Sequence, residues 1–161
     1  LVFIPTYNEG ENVERTGTAI RDLGLDVDVL FVDTAGWTML ADEGDPQHGT
    51  ARSFRDEWLA GAGMLVSSDF VMDETLTLIR VRLGLDAAER WWEQVEGSPR
   101  VRWEWIDPAR AEKARYWFFR WRDKDFSFTD CSSFVLMKER RIRAALTSDH
   151  HFVQAGFQMY P

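Results

Sequence analysis

Short apolar runs alternate with longer amphipathic stretches along most of the chain. A short apolar run is typical of a buried strand, and strict alternation of apolar and polar residues is typical of a half-buried one. These patterns predict strands at Leu1–Pro5, Val27–Val32, Met64–Val66, Val101–Trp105, Ala144–Ser148 and Phe157–Tyr160. Because helical stretches separate the strands, we expect mainly parallel pairing with right-handed crossovers.

The stretches between the strands carry the signals of helix ends. Gly24 and Gly84 can each end a helix, because glycine readily adopts positive φ, and Asp107-Pro108 can begin one. At Thr129 or Asp130 a short side-chain oxygen can cap a helix. The predicted helices are Glu11–Leu23, Trp37–Asp42, Asp45–Gly61, Asp69–Leu83, Asp86–Glu96, Pro108–Trp121, Thr129–Arg141 and His150–Ala155. Together these elements predict a three-layer α/β fold with a sheet of about five strands and one extra N-terminal strand and helix.

The composition is that of one globular domain with an appendage. At 161 residues, with 45% hydrophobic and 29% charged residues, the chain can bury a sizeable core. It has no apolar run near bilayer length and no basic-then-apolar leader, so we expect no membrane association. A single cysteine excludes an internal disulfide and is consistent with a cytoplasmic location.

The net charge of −8 argues against a nucleic-acid partner. Two basic runs weaken that objection, and divalent cations bound by clustered carboxylates would offset part of the negative charge. The same residues could equally form solvated helix faces, and both interpretations stay open. The runs are Arg110, Lys113, Arg115, Arg120 and Arg122, then Lys138, Arg140, Arg141 and Arg143.

Four acidic residues are predicted to meet at one edge of the sheet. Asp33 and Asp149 each end a strand, Asp130 opens a helix, and Glu74 lies one turn into another. The carboxyl ends of parallel strands form the edge where open α/β sheets bind ligands. Carboxylates held together repel each other, and divalent cations relieve that repulsion. Any one of these acids alone is more simply a helix cap or a solvated loop residue, so the prediction depends on all four.

Three segments closely resemble the PIN-domain ribonucleases, the family of the VapC toxins. They are LFVDTAGWTMLADEGDPQHGTARSF with Asp33, SSDFVMDETLTLIRVRLG with Glu74, and FSFTDCSSFVLMKERRIRAALTSDHHFVQAGFQMYP with Asp130 and Asp149. The resemblance runs from about Asp28 to Pro161 and keeps the four acids in order. It implies the strand order 3-2-1-4-5, with the Asp33 strand in the middle.

The resemblance implies a divalent-metal-dependent endoribonuclease. The expected metal-binding and catalytic acids are Asp33, Glu74, Asp130 and Asp149, with Mg²⁺ or Mn²⁺ as cofactor. Thr34 and Thr129 are expected to orient ligands or water around them. A bound cation would activate water and stabilise charge on the reacting phosphate, which gives phosphodiester hydrolysis. The implied partners are an RNA substrate, an inhibitory antitoxin and a second copy of the chain.

The beginning of the chain resembles a different family. The segment LVFIPTYNEGENVERTGTAIRDLGLDVDVLFVD is similar to the first βαβ unit of family 2 glycosyltransferases of the dolichyl-phosphate mannose synthase type, and the similarity stops near Asp33. We therefore expect a chimera, with a glycosyltransferase-like strand and helix in residues 1–27 and a PIN-like domain in residues 28–161. Because a PIN sheet occupies both sides of the Asp33 strand, Leu1–Pro5 should join a sheet edge or displace a neighbour.

Two other functions stay open. The chain could be an engineered or fused scaffold without activity or, remotely, a fragment of a nucleotide-sugar glycosyltransferase, although no convincing DxD metal motif stands in a suitable place. Trp91 and Trp92 are left unassigned, because adjacent helical residues are not easily both buried. Three histidines, His48, His150 and His151, are assigned to surface or packing, and Cys131 is assigned to packing. Four tryptophans are assigned to the core: Trp103, Trp105, Trp117 and Trp121.

Overall fold

A computed structural model of the chain describes residues 28–161. Its strands are β1 (Val29–Val32), β2 (Met64–Ser68), β3 (Val101–Glu104), β4 (Ala144–Leu146) and β5 (Gln158–Tyr160). They form one five-stranded sheet in the order β3-β2-β1-β4-β5, and each neighbouring pair is parallel. The predicted α/β class and strand order are therefore confirmed.

Strand β1 lies at the centre of the sheet because its sequence is apolar throughout. Leu30, Phe31 and Val32 are fully buried, as suits a parallel strand covered on both faces. β2 pairs along one side of β1 and β4 along the other. The predicted edge strand Leu1–Pro5 and the predicted helix Glu11–Leu23 lie outside the described residues.

The helices predicted within residues 28–161 are present, with shifted ends. They are α1 (Thr34–Ala41), α2 (His48–Ala60), α3 (Asp69–Leu83), α4 (Leu85–Glu96), α5 (Pro108–Arg120), α6 (Phe128–Arg140) and α7 (His151–Gln154). Helix α2 begins at His48 rather than at Asp45, because the Asp45 carboxylate accepts a hydrogen bond from the Gln47 amide and holds a turn there. Within this part of the chain, no helix is both long and apolar enough to cross a membrane.

The strand β3 ends one residue earlier than predicted, and Trp105 lies beyond it. The Trp105 side chain is 67% exposed, so its assignment to the core was wrong. The backbone at Trp105 and Ile106 forms hydrogen bonds with side chains instead of with a neighbouring strand. The Arg110 guanidinium donates to the Trp105 carbonyl at 2.7 Å, and the Ile106 amide donates to the Asp69 carboxylate at 2.9 Å.

Tryptophans of α1, α4 and β3 pack together as part of the core. The ring centroids of Trp37, Trp91 and Trp103 lie 5.6–6.2 Å apart. Trp91 is buried, and the partly buried Trp92 packs against Trp103 and the core. The two adjacent tryptophans that the sequence left unassigned therefore both contribute to this cluster.

Helix α1 is held close to the sheet where the chain leaves β1. A Cβ atom on Gly36 would lie 2.2 Å from the Leu146 carbonyl oxygen, so the approach requires glycine. The Trp37 indole N–H donates to the Ser67 hydroxyl at 3.2 Å, and that hydroxyl donates to the Val32 carbonyl at 2.7 Å. These contacts fix the first turn of α1 relative to β1, β2 and β4.

Candidate active site

The four acids selected from the sequence line one cleft at the carboxyl edge of the sheet. Its volume is about 450 Å³. Asp33 follows β1 and Asp149 follows β4, while Glu74 reaches the cleft from α3 and Asp130 from α6. The folded chain therefore brings together residues that lie more than a hundred positions apart in the sequence. Other residues in the lining are Thr34, Asp45, Arg82, Asp125, Ser127 and His151.

Asp33 is a buried carboxyl group at the start of α1. Its side chain accepts a hydrogen bond from the Thr147 hydroxyl at 3.1 Å. Burial is the largest influence and raises the pKa of Asp33 from 3.8 to about 7. The negative charge of Asp130 raises this pKa too, whereas the Thr34 and Ala35 amides and the Thr147 hydroxyl lower it.

Asp130 lies in the first turn of α6, in a capping box with Ser127. The Asp130 amide donates to the Ser127 hydroxyl at 3.0 Å, and the Ser127 amide donates to the Asp130 carboxylate at 2.7 Å. The N-cap is therefore Ser127, and the prediction that Thr129 or Asp130 caps the helix was wrong. Burial raises the pKa of Asp130, against the lowering effect of the Ser127 hydrogen bonds, and the nearby Asp149 raises it further.

Glu74 is half-buried and connects two helices at the cleft. The Thr34 hydroxyl donates to Glu74 Oε2 at 2.7 Å, which joins the first turn of α1 to α3. Thr129 lies elsewhere. It lines a neighbouring groove beside α3, together with Trp105 and Glu74.

His151 stands beside two of the acids, although the sequence analysis assigned it to surface or packing. Its Nδ1 lies 3.3 Å from Asp130 Oδ2 and 3.3 Å from Asp149 Oδ2. Neither approach has the geometry of a hydrogen bond, and Nδ1 has no hydrogen-bond partner among the described residues. One donor atom from each of the three residues lies within 4.8 Å of the others, a spacing that one metal ion could bridge.

The arrangement suits a divalent cation. Asp33 and Asp130 both have raised pKa values, so without a counter-ion the cleft disfavours its own ionised form. A bound cation would favour the ionised carboxylates, and oxygen donors are the ligands that Mg²⁺ and Mn²⁺ prefer. The carboxylates and the imidazole that line the cleft therefore fit a metal of this class.

Two members of the basic runs form ion pairs with a buried acid inside the fold. Glu104 is buried at the end of β3, and its carboxylate lies 2.7–3.2 Å from nitrogens of Arg102, Arg110 and Arg140. Arg110 belongs to α5 and Arg140 to α6. These two arginines therefore connect α5 and α6 to the end of β3. They form neither an open basic face nor a fully solvated helix face.

The parallel sheet, its strand order and the acidic edge define a PIN-type α/β domain. Residues 30–158 match the PIN domain family. The chain belongs to this family.

Among curated proteins, the chain is similar to the 23S rRNA-specific endonuclease VapC20 of Mycobacterium tuberculosis. It is 34% identical over 129 residues to VapC20 of the CDC 1551 / Oshkosh and H37Rv strains, which covers 80% of this chain and 95% of each relative. A crystal structure of VapC20, a sarcin–ricin loop cleaving toxin, matches with a TM-score of 0.74 and 33% identity, covering 82% of this chain and 99% of that one. The predicted class, a VapC-like PIN-domain ribonuclease, is confirmed.

Proposed function

We propose that this chain is an endoribonuclease that hydrolyses RNA phosphodiesters with the help of a divalent cation held by its acidic cleft. The observation that carries the proposal is the convergence of four carboxyl groups in one cleft of a PIN domain. The pKa values of Asp33 and Asp130 are raised, and a bound cation would offset the cost of ionising these two carboxyl groups. The similarity to VapC20, which is named as a 23S rRNA-specific endonuclease, makes structured ribosomal RNA the first substrate to test.

In this proposal the four carboxyl groups hold the cation and the neighbouring hydroxyls orient them. Asp33, Glu74, Asp130 and Asp149 act as the metal-binding and catalytic acids, and Mg²⁺ or Mn²⁺ is the cofactor. Thr34 orients Glu74 through its 2.7 Å hydrogen bond. Thr129 would act from the adjoining groove. The cation, when bound, supplies an activated water and charge stabilisation at the phosphate.

We also propose the partners and the domain division that the resemblance implies. The partners are an inhibitory antitoxin and a second copy of this chain, in the cytoplasm where ribosomal RNA is found. The activity is assigned to residues 28–161, which contain the family match to residues 30–158. The glycosyltransferase-like appendage in residues 1–27 and a chimeric origin stay predictions.

The direct test is RNA cleavage in Mn²⁺, compared between the natural chain and Asp130→Asn. Asparagine keeps an oxygen that can accept the Ser127 amide, so the capping box can survive while the negative charge is lost. We expect cleavage by Asp130→Asn to fall at least about a hundredfold, on the order of 3 kcal/mol of barrier, and cleavage by the natural chain to stop in EDTA.

The matched control is Asp107→Asn. Asp107 caps α5 by accepting the Arg110 amide at 2.8 Å and does not line the cleft. This variant should cleave RNA like the natural chain. Equal cleavage by Asp130→Asn and the natural chain would remove Asp130 from the mechanism, and absence of any metal-dependent cleavage would favour the inactive scaffold.

A further inference from the structure

We propose that His151 is a metal ligand through Nδ1, together with Asp130 and Asp149, and that it shifts the preference of the site from Mg²⁺ towards divalent transition metals. This inference rests on the proposed function, because it concerns the cation that the cleft would hold. It adds a nitrogen donor to a site that the sequence analysis built from carboxylates alone.

The imidazole nitrogen of His151 is placed where it could share an ion with two carboxylates. Nδ1 is equally distant, at 3.3 Å, from one oxygen of Asp130 and one of Asp149. Two neighbouring ligands of an octahedral ion, each about 2.1 Å from it, lie about 3.0 Å apart. The observed separations are thus close to those of ligands that share an ion.

In the described part of the chain, Nδ1 has no partner other than these two carboxylates. It is shielded from solvent, yet it forms no hydrogen bond there. A buried polar atom without a partner costs free energy, and such a group in a native site needs an explanation. A cation between the imidazole and the two carboxylates would satisfy it.

Neighbouring residues hold the His151 ring in this place. The His151 amide donates to Asp149 Oδ1 at 2.8 Å, and the Asp149 amide donates to the Thr147 hydroxyl at 2.9 Å. The Phe126 ring packs edge-on to the imidazole with centroids 5.2 Å apart. Because the turn uses Oδ1 of Asp149, its Oδ2 is left to face Nδ1 and the cleft.

A nitrogen ligand has a consequence for metal choice. Mg²⁺ takes oxygen ligands almost exclusively, whereas Mn²⁺, although it also favours carboxylate oxygens, is a transition metal and accepts an imidazole ligand more readily. Removing the imidazole should therefore weaken the binding of Mn²⁺ more than that of Mg²⁺. A histidine that served only to position the carboxylates would affect both ions alike.

The experiment is pulsed electron paramagnetic resonance of the full chain loaded with Mn²⁺, without RNA. A coordinated imidazole gives a ¹⁴N hyperfine coupling, which we expect in the natural chain and in His150→Gln, the exposed neighbour. His151→Gln should lose this coupling and bind Mn²⁺ about tenfold more weakly, while its affinity for Mg²⁺, measured by competition, changes less than about threefold.

The outcomes separate this inference from the proposed function. A Mn²⁺-loaded natural chain without ¹⁴N coupling, or coupling that persists in His151→Gln, would overturn the role of His151 and leave the carboxylate site standing. No binding of Mn²⁺ to the natural chain would overturn both. The spectrum of the natural chain decides the ligand question even if the His151→Gln chain does not fold.

Discussion

Burial makes the pKa of the Asp33 carboxyl group higher in the folded chain than in the unfolded chain. Its pKa in the folded chain is raised to about 7, mainly by burial, against 3.8 in its ordinary state. Between these values the folded chain holds a proton that the unfolded chain releases. The contribution of Asp33 to the free energy of unfolding is therefore fully present below about pH 4 and is lost as the pH rises to about 7.

The corresponding prediction concerns the cation-free protein. In EDTA, the free energy of unfolding should fall as the pH rises from about 4 to about 7, with an upper bound of roughly 4 kcal/mol from Asp33. Asp33→Asn should remove most of this dependence, because an amide does not ionise. Urea denaturation at each pH measures the effect, and excess Mn²⁺ should reduce it in the natural chain. Parallel pH profiles for the two chains would contradict this account of Asp33.

At this scale the sequence allowed the acids to be predicted but not all of their neighbours. Asp33, Asp130 and Asp149 stand at element boundaries, which a pattern of apolar runs reveals. The role of His151 depends on where Nδ1 comes to lie relative to Asp130, and no local pattern contains that distance. The only sequence feature that could have linked His151 to the site was its spacing of two residues from Asp149, which is short enough to place both residues on one turn.

Helix α1 packs tightly against the sheet beside the cleft. Its approach to the end of β4 leaves no room for a side chain at Gly36, where a Cβ would lie 2.2 Å from a backbone oxygen. Backbone cannot move aside as a flexible side chain can. Any side chain here would push the first turn of α1, which begins directly after Asp33, away from the sheet.

We predict that Gly36→Ala lowers the free energy of unfolding by about 1–3 kcal/mol through overpacking, despite the better helix propensity of alanine. The control is Gly49→Ala in α2, where a Cβ would meet nothing within 4 Å. That change should stabilise the chain by up to about 1 kcal/mol. Chemical denaturation compares the two variants, and a Gly36→Ala chain as stable as the natural one would show that the contact is not tight.

Element types followed from the sequence more reliably than element ends. Helices and strands depend on repeated patterns, so one misleading residue changes little. Ends depend on single hydrogen bonds that no pattern shows. Helix α6 begins where Ser127 and Asp130 form reciprocal hydrogen bonds. Strand β3 ends just before Trp105, whose carbonyl accepts a hydrogen bond from Arg110.

Across the whole molecule, a buried ion-pair network joins the edge strand to two helices. The three arginines that surround Glu104 come from β3, α5 and α6, and Arg140 lies 36 positions away in the sequence. Removing the buried acid would leave three positive charges close together. Breaking one side of such a network costs far more than breaking a surface pair.

We predict that Glu104→Gln lowers the free energy of unfolding by about 2 kcal/mol or more, because Arg102 and Arg140 lose their carboxylate partner and Arg110 keeps only Glu139. Glu112→Gln, on the exposed face of α5, is the control and should have no measurable effect, since its pair with Arg115 is solvated. Thermal or chemical denaturation measures both. Equal stability of the two variants would mean that the network contributes little.

For the whole molecule, the strand topology could be predicted from the sequence, but the ion pairs that the basic residues form could not. The alternation of strands and helices favoured a parallel sheet, and the resemblance to PIN domains supplied the strand order. The basic runs left two interpretations open, and the fold uses parts of them in ion pairs. Five exposed members of the runs form no ion pair within the described residues, so they are the ones left for contacts with an anionic partner: Arg120, Arg122, Lys138, Arg141 and Arg143.

Anomalous scattering from a crystal of the full chain soaked in Mn²⁺ would locate the cation. We expect a peak inside the acidic cleft, about 2.0–2.6 Å from carboxylate oxygens of Asp130 and Asp149 and within the space that Asp33 and Glu74 enclose. A cleft without a peak at saturating Mn²⁺, or an ion bound only elsewhere, would contradict the proposed cation site.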